Sequence, residues 1–252
     1  LADKTPSVEQ ISNAIQSHNL LKIGEKGCLS PMQVRALGAI TQKNFVVLTG
    51  GPGTGKTTTV ARMIEILRQT NPEKRLDIKL AAPTGKAANR LKESIQNEAP
   101  SSESDFYGKL EAVTLHKLLG AKPGVIENFT YDAKNKLSGD VFIIDEASMV
   151  SLLMFKKFLE AIPQDAKVIV IGDPDQLASV EVGTVLADIV KGVQNQARCD
   201  TSIDLSASIK LDNTLKKLWE KTTTSTEEQW PNDYSETSFI QLHNGLVALT
   251  QG

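Results

Sequence analysis

A glycine-rich loop constrains the fold of this chain more than any other feature. Gly50–Thr57 matches the pattern G-x-x-x-x-G-K-[ST] at every fixed position. The apolar run Phe45–Leu48 precedes the loop, and Val60, Ile64 and Leu67 recur behind it with helical spacing. A strand, a glycine loop and a helix in this order are the context in which the pattern binds phosphate. The sequence therefore predicts a nucleotide site built on a strand-to-helix turn.

Each part of the loop has a distinct expected task. The glycines let several backbone N–H groups point at one anion, and the helix that starts near Gly55 adds its positive dipole end. Lys56 is expected to reach the β- and γ-phosphates of ATP, and the Thr57 hydroxyl to hold Mg²⁺. The predicted nucleotide contacts in the loop are Gly51, Pro52, Gly53, Thr54, Gly55, Lys56, Thr57 and Thr58.

Strands and helices alternate through most of the chain. A strand at 77–82, a turn at Pro83–Gly85 and a helix at 86–96 form a second unit, and buried strands are predicted at Val141–Ile144 and 167–171. This alternation predicts the α/β class, with a mostly parallel sheet and helices on both faces. A further helix is expected to bury one face made of Leu152, Phe155, Leu159 and Ile162.

The remaining segments are assigned more coarsely. Residues 1–29 are interpreted as the tail of a preceding region or a lead-in helix, and residues 30–252 as one lobe. Within that lobe, residues 120–140 are expected to form a short hairpin or a plain loop. Residues 192–238 are interpreted as a polar surface insertion with some disorder, in which only 209–219 is helical. The chain starts at Leu1 rather than Met and ends just after an apolar run, so we expect a fragment of a longer protein.

Bulk composition excludes several classes of function. The formal net charge is −2, so the overall charge gives no indication of nucleic-acid binding. Any contact with nucleic acid would need a local basic patch. Cys28 and Cys199 are too far apart in sequence to match a metal-binding motif, and we expect both to be reduced thiols. No apolar run approaches the roughly 20 residues that cross a bilayer. We expect a cytoplasmic protein with no membrane partner.

Two polar segments follow predicted buried strands. Asp145 and Glu146 come directly after Ile144, where Asp145 would hold Mg²⁺ and Glu146 would take a proton from attacking water. The alternative is that both carboxylates merely favour the start of the next helix. Gln176 follows the next strand and can contact a γ-phosphate there, although the segment could equally be an Asp-Pro turn.

Five motifs appear in an order that resembles one helicase family. They are Gly50–Thr59, Ala82–Leu91, Thr114–Gly120, Ile144–Val150 and Gly172–Val180. Together they resemble the ATPase and DNA motifs of superfamily 1 helicases, and specifically the RecD-type alpha subunits of bacterial exodeoxyribonuclease V. The resemblance covers roughly residues 30–190 and implies a P-loop NTPase fold of the RecA-like type.

The resemblance also implies residue roles. Gln33 would read the adenine edge, or it could be an ordinary exposed helix residue. Thr84, Lys86 and His116 fall in motifs that lie along the single-stranded DNA path in this family. Gln176 becomes the γ-phosphate sensor, and the segment at 120–140 sits where relatives carry a strand-separating pin, with a plain loop still an alternative.

Members of this family are ATP-dependent motors that use Mg²⁺-ATP and move 5′ to 3′ along single-stranded DNA. They join beta and gamma subunits in a complex that repairs and recombines broken DNA ends. Such a motor needs a second lobe that supplies an arginine, yet the last arginine here is Arg198, so this chain would be the first lobe and poorly active alone. The alternatives are a stand-alone or conjugative relative, or a nucleotide-dependent module that binds partner subunits without turnover.

Overall fold

The computed structural model describes residues 5–24, 27–99, 104–121, 129–174, 176, 185–199, 206–223, 229–231 and 246–249. Its strands are β1 (Lys22–Ile23), β2 (Gly27–Cys28), β3 (Phe45–Gly50), β4 (Ile78–Ala82), β5 (Glu111–Thr114), β6 (Val141–Ile144), β7 (Lys167–Gly172) and β8 (Leu246–Leu249). The first two form a small antiparallel pair, and the others form one six-stranded sheet in the order β5-β4-β6-β7-β3-β8.

Helices connect these strands. They are α1 (Val8–Ser17), α2 (Pro31–Gln42), α3 (Lys56–Gln69), α4 (Gly85–Asn97), α5 (Ser104–Gly108), α6 (Leu115–Leu118), α7 (Leu152–Ala161), α8 (Val185–Cys199) and α9 (Ser206–Thr222), with a 3₁₀ turn at Ala147–Met149. The expected helices at 86–96 and 209–219 are confirmed as α4 and as the central part of α9.

The predicted α/β class is confirmed. Every pairing in the six-stranded sheet is parallel. Alternate strand residues enter two separate cores, because successive side chains of a strand point to opposite faces. Val46 and Leu48 join a core with α1 to α5 and α9, whereas Val47 joins a second core with α6, α7 and the start of α8. Helices therefore cover both faces of the sheet.

The apolar face expected for α7 is wrong at two of its four positions, since Phe155 is buried and Ile162 packs against the second core as expected. Leu152 is 61% exposed and Leu159 is 40% exposed, while Phe155, Phe158 and Ala161 are buried. Apolar residues occur on both sides of this helix, so its periodicity alone could not choose the face. The aromatic contacts Phe142–Phe158 and Phe155–Phe158 decide the orientation in the folded chain.

The surface insertion expected at 192–238 is also wrong where the structure describes it. Helix α8 continues to Cys199, and α9 packs against α1 and α2. Leu211, Leu215 and Trp219 of α9 are buried in the same core as α2. The helix at 209–219 was expected, but the polar residues around it hid the fact that its apolar side packs into the core.

Asp212 joins α9 to α2 by a buried ion pair. Its two carboxylate oxygens accept from Arg35 Nε at 2.8 Å and Arg35 Nη2 at 3.1 Å. Trp230 donates its indole N–H to Asp212 Oδ2 at 3.3 Å and lies 5.2 Å beneath the Arg35 guanidinium. The pair is nearly inaccessible to solvent. Helix α2 is thereby fixed to a segment almost two hundred residues later in the chain.

Parts of two sequence predictions fall outside the described residues. Ala121 and Phe129 form an antiparallel bridge at the base of the segment expected to be a hairpin, and residues 122–128 lie outside the description. Residues 177–184, which include the end of the fifth motif, also lie outside the description, and α8 is described from Val185.

Candidate nucleotide and DNA site

The predicted site residues converge on one edge of the sheet. Because the six strands are parallel, all their carboxyl ends lie together. The phosphate loop follows β3, Asp145 and Glu146 follow β6, and Gln176 lies beyond β7. Thr84 follows β4, and His116 follows β5. The order β5-β4-β6-β7-β3 therefore places the predicted DNA residues at one end of this edge and the phosphate loop towards the other, with Asp145 and Glu146 between them.

The phosphate loop needs glycine at two positions. Gly53 and Gly55 both have φ of 77°, in the left-handed region that other residues rarely adopt. Gly55 is the N-cap of α3 and has no side chain to satisfy the first N–H groups of that helix. Those N–H groups therefore face the loop, as in helix N-termini that bind anions. Thr54 stiffens the turn by donating from Oγ1 to the Gly51 carbonyl at 2.9 Å.

The Lys56 ammonium lies over the loop. Its Nζ donates to the carbonyl oxygens of Gly50 at 2.6 Å and Gly51 at 2.7 Å. Two backbone carbonyls thus hold the cation at the mouth of the turn rather than in bulk solvent. Thr57 is half-buried in the next position of α3, with Pro52 and Gly53 exposed in front of it. The loop thus combines the Lys56 ammonium, the half-buried Thr57 and the N-terminus of α3 within a few residues.

Gln33 lies against this loop rather than on an exposed face. Its Oε1 accepts from the Ser30 N–H at 2.8 Å, which completes a capping box with the Ser30 side chain at the start of α2. Its Nε2 donates to the Gly55 carbonyl at 3.3 Å. The side chain is 7% exposed, so the alternative of an exposed helix residue does not hold. The amide still has one N–H and one lone pair for a nucleobase edge.

Asp145 and Glu146 occupy a strained turn at the end of β6. Asp145 Oδ1 accepts the Glu146 N–H at 2.8 Å, and Glu146 has φ of 52°, which is uncommon for a residue with a side chain. Burial raises the pKa of Asp145 above its ordinary value, and the Glu146 charge raises it further. The hydrogen bond from Glu146 and the positive charge of Lys56 act in the opposite direction. The alternative in which both carboxylates only start a helix is disfavoured, because the 3₁₀ turn that follows has no side-chain cap.

Ser148 lies just behind this turn. It is 4% exposed, and its hydroxyl has no hydrogen-bond partner among the residues that the structure describes. The Ser148 backbone nitrogen would lie 3.4 Å from a Cβ placed on Gly172, and Leu186 would lie at 2.5 Å. A side chain at residue 172 would therefore clash with the end of the Leu186 side chain in α8, whereas its distance from the backbone of the 3₁₀ turn would be an ordinary van der Waals contact.

Gln176 lies beyond the carboxyl end of β7. Its side chain is exposed, and its backbone N–H donates to the Asp173 carbonyl at 3.3 Å. Asp173 itself is nearly buried. The structure therefore contains the turn expected from the Asp-Pro sequence and also places Gln176 at the edge that holds the loop. Both readings of this segment remain compatible with the geometry.

The three predicted DNA residues are exposed. The Thr84 hydroxyl caps α4 by accepting the Ala87 N–H at 3.2 Å, and Lys86 follows in the first turn. His116 lies in the short helix α6, with its ring 6.3 Å from that of Phe129. A helix N-terminus with a lysine beside it suits a backbone phosphate. The part of the edge with the predicted DNA residues is thus exposed, whereas Lys56, Gln33 and Thr58 at the phosphate loop are hydrogen-bonded within the protein.

One contact at the loop could not be found from the sequence. The Thr58 hydroxyl donates to Glu98 Oε1 at 3.2 Å, which joins the first turn of α3 to the C-cap of α4. Glu98 belongs to no motif and lies 40 positions from Thr58 in the sequence. No local pattern marks it.

Comparison with known proteins decides the family. Residues 33–182 match the model of a family described as an AAA domain. The chain belongs to this family. The match spans the phosphate loop, the Asp145–Glu146 turn and Gln176, and with the parallel sheet it confirms the expected P-loop fold of the RecA-like type.

Relatives of this AAA domain confirm the resemblance to RecD. The RecBCD enzyme subunit RecD of Mycobacterium tuberculosis (strain CDC 1551 / Oshkosh) is 49% identical over 64% of this chain and 28% of the relative. RecD of Haemophilus influenzae is 40% identical over 67% and 27%. The ATP-dependent RecD2 DNA helicase of Deinococcus radiodurans is 36% identical over 66% and 20%. The aligned region therefore spans about a quarter of the length of the curated relatives.

Among solved structures, the AAA domain is similar to Bacteroides Pif1 bound to single-stranded DNA. The identity is 25%, the match covers 65% of this chain and 36% of that one, and the TM-score is 0.40. A TM-score of this size supports no conclusion about function. In the described part of the chain, no helix is long and apolar enough to span a membrane, and no three His, Cys, Asp or Glu side chains cluster to bind a metal ion.

Proposed function

We propose that this AAA domain is the ATP-hydrolysing first motor lobe of a RecD-type DNA helicase. The observation that carries the proposal is that the phosphate loop with Lys56 and the Asp145–Glu146 turn lie at the same edge of the parallel sheet, with one strand between them. A phosphate-binding cation beside two carboxylates is the arrangement that hydrolysis of a nucleoside triphosphate requires.

The loop would bind ATP through backbone and side chain together. The N–H groups at the start of α3 would hold the phosphate oxygens, and Lys56 would exchange its two carbonyl partners for the β- and γ-phosphates. Contacts from Gly51 to Gly55 and from Thr58 would complete the phosphate cradle. Gln33 would use its remaining N–H and lone pair on the adenine edge.

The oxygen donors at the edge fit Mg²⁺. Thr57 offers a hydroxyl and Asp145 a half-buried carboxylate, and hard oxygen ligands are those that Mg²⁺ prefers. When bound, the ion would neutralise charge on the β- and γ-phosphates. Its positive charge would also keep Asp145 ionised against the effect of burial.

Glu146 and Gln176 would act on the attacking water and the terminal phosphate. The Glu146 carboxylate would accept a proton as the water oxygen attacks phosphorus, and Gln176 would contact the γ-phosphate and register its loss. The left-handed backbone of Glu146, at φ of 52°, is a conformation that is uncommon outside functional sites and supports a specific role for this residue.

The open half of the edge would bind single-stranded DNA. Thr84 and Lys86 at the start of α4 would meet a phosphate, and His116 would lie further along the strand. By its similarity to RecD, the complete cytoplasmic protein would move 5′ to 3′ and join the beta and gamma subunits of exodeoxyribonuclease V in repair and recombination of broken ends. The segment at 120–140 would serve as the pin.

Turnover requires a second lobe in this proposal. The arginine that such a lobe supplies contributes about 10³–10⁵ in rate, and no arginine follows Arg198. The 252-residue chain alone is expected to bind Mg²⁺-ATP weakly and to hydrolyse it very slowly, with little stimulation by DNA. Steady-state hydrolysis with and without oligo(dT) tests this, and robust stimulation in the isolated chain would refute the two-lobe proposal.

A further inference from the structure

Helix α4 connects the two halves of the carboxyl edge. Its N-cap is Thr84, one of the proposed DNA residues, and its C-cap is Glu98. Glu98 Oε1 accepts the Thr58 hydroxyl at 3.2 Å, and Thr58 lies in the first turn of α3, directly behind the phosphate loop. Helix α4 therefore begins at the residues expected to bind DNA and ends beside the helix that follows the phosphate loop.

A second link fixes the same end of α4 to α3. Gln96 Nε2 donates to the Tyr107 carbonyl at 2.9 Å, and the Tyr107 hydroxyl donates to Glu65 Oε2 at 3.0 Å. Glu65 belongs to α3, is 3% exposed and also accepts from Gln69 Nε2 at 2.6 Å. The C-terminal end of α4 is thus bonded to α3 both directly and through the buried Tyr107.

The other end of α4 is held by less apolar surface. Ala87 and Ala88 form a separate small cluster with Ala82, whereas Leu91 and Ile95 enter the main core. Alanine side chains bury less apolar surface than leucine and isoleucine side chains do, so the alanine end is the weaker attachment. A ligand that binds at Thr84 and Lys86 can therefore shift α4 at its N-terminal end, where the helix is packed most weakly.

Helix stability does not explain the position of Glu98. A negative side chain at a helix C-terminus is disfavoured by the helix dipole. The half-buried carboxylate is nevertheless turned towards Thr58. A contact between α4 and the phosphate-loop helix accounts for an acidic residue at this position.

We propose that α4 transmits DNA binding at Thr84 and Lys86 to the phosphate loop, with Glu98 as the positioning residue that acts through Thr58. The proposal rests on the motor function above. DNA phosphate at the helix N-terminus favours one position of α4, and the Glu98–Thr58 hydrogen bond imposes that preference on the first turn of α3. DNA then sets the alignment of Thr57 and Lys56 for hydrolysis.

The test uses the complete helicase polypeptide that contains this lobe, with its partner subunits. The measured quantity is the ratio of ATP hydrolysis with saturating oligo(dT) to hydrolysis without it. Glu98→Ala is expected to lower this ratio about 2- to 10-fold, the range that one hydrogen bond spans. Glu98→Gln retains a carbonyl acceptor for Thr58 and should preserve most of the ratio. Glu93→Ala removes an exposed charge from the same helix and should leave the ratio unchanged.

A double-mutant cycle with Thr58→Val separates this role from a structural one. If the hydrogen bond carries the coupling, the ratio of the double variant falls no further than that of either single variant. An unchanged ratio in Glu98→Ala, or additive losses in the cycle, overturns the coupling but leaves the motor function standing. No stimulation by DNA in the unaltered protein overturns the motor function and the coupling with it.

Discussion

Two regions of this AAA domain use polar residues for opposite purposes. At the carboxyl edge, Lys56, Asp145 and Glu146 are only partly buried, and among the described residues Lys56 donates its hydrogen bonds to two backbone carbonyl groups. Around α2, Arg35 and Asp212 are sealed from solvent and bonded to each other. Polar groups at the edge can exchange their partners for a ligand, whereas those around α2 cannot lose a partner without stranding a charge. Removing the first kind should impair chemistry, and removing the second kind should impair folding.

The ion pair between α2 and α9 should give the largest effect on stability. Asp212→Ala leaves the Arg35 guanidinium buried without its partner, and loss of one member of such a pair costs about 3–5 kcal/mol. The free energy of unfolding from urea titration checks this. Asp165→Ala, at an exposed acidic residue, is the control and should stay within about 0.5 kcal/mol of the unaltered protein.

The double replacement Arg35→Met with Asp212→Leu sharpens the same comparison. Apolar side chains in place of both charges should recover most of the loss, because a buried pair is often no more stable than well-packed apolar residues. An Asp212→Ala variant as stable as the control would mean that α9 does not hold α2 through this pair.

Lys167 anchors the other end of α2 and predicts a pH dependence. Its Nζ donates to the carbonyls of Ile40 at 2.8 Å and Lys43 at 2.9 Å, and burial lowers its pKa from 10.5 to about 8. The unfolded chain binds the extra proton between those two pH values, so this residue makes stability rise with pH across pH 8–10.5. The pKa gap corresponds to roughly 3 kcal/mol.

Comparison with Lys167→Met isolates that contribution, since other groups titrate equally in both proteins. The difference in unfolding free energy between the unaltered protein and the variant should grow in favour of the unaltered protein from pH 8 to 10.5. Parallel pH profiles for the two proteins would show that Lys167 is not the buried cation that the geometry indicates.

Gln33 belongs to both regions and should show a smaller, mixed effect. Gln33→Ala removes the acceptor for Ser30 and the donor to Gly55, which should cost about 1 kcal/mol, as for other helix caps. Gln33→Glu keeps the acceptor but loses the donor, so it should recover part of that stability. Urea titration gives the free energy of unfolding of both variants and so separates the two contacts. If the two variants lose the same stability, the contact with Gly55 contributes most of the effect.

Ser148 should show the smallest effect, or one of opposite sign. An unmet buried hydroxyl costs about 1–3 kcal/mol, so Ser148→Ala should leave the unfolding free energy equal or raise it. Thermal melting of Ser148→Ala and Asp212→Ala under the same conditions compares the two effects on stability directly. A marked loss of stability on removing the Ser148 hydroxyl would mean that this group is bonded in solution.

The sequence could predict the carboxyl edge because its parts are contiguous. Gly50–Thr57 and the Asp145–Glu146 pair are each short motifs beside an apolar strand, and parallel strands bring such motifs to one edge. The contacts around α2 were not predictable, because Arg35 and Asp212 are 177 positions apart and match no pattern. Glu98 was missed for the same reason. The face of α7 was mispredicted because apolar residues occur on both of its sides.

The central claim is that Lys56 and Glu146 serve different steps at one Mg²⁺-ATP site. It is tested most directly by measuring equilibrium binding of a fluorescent ATP analogue and the rate of ATP hydrolysis in the complete helicase polypeptide. Glu146→Gln should bind nucleotide as the unaltered protein does and lose hydrolysis, whereas Lys56→Ala should lose both. Normal hydrolysis by Glu146→Gln, or unimpaired binding by Lys56→Ala, would contradict the account.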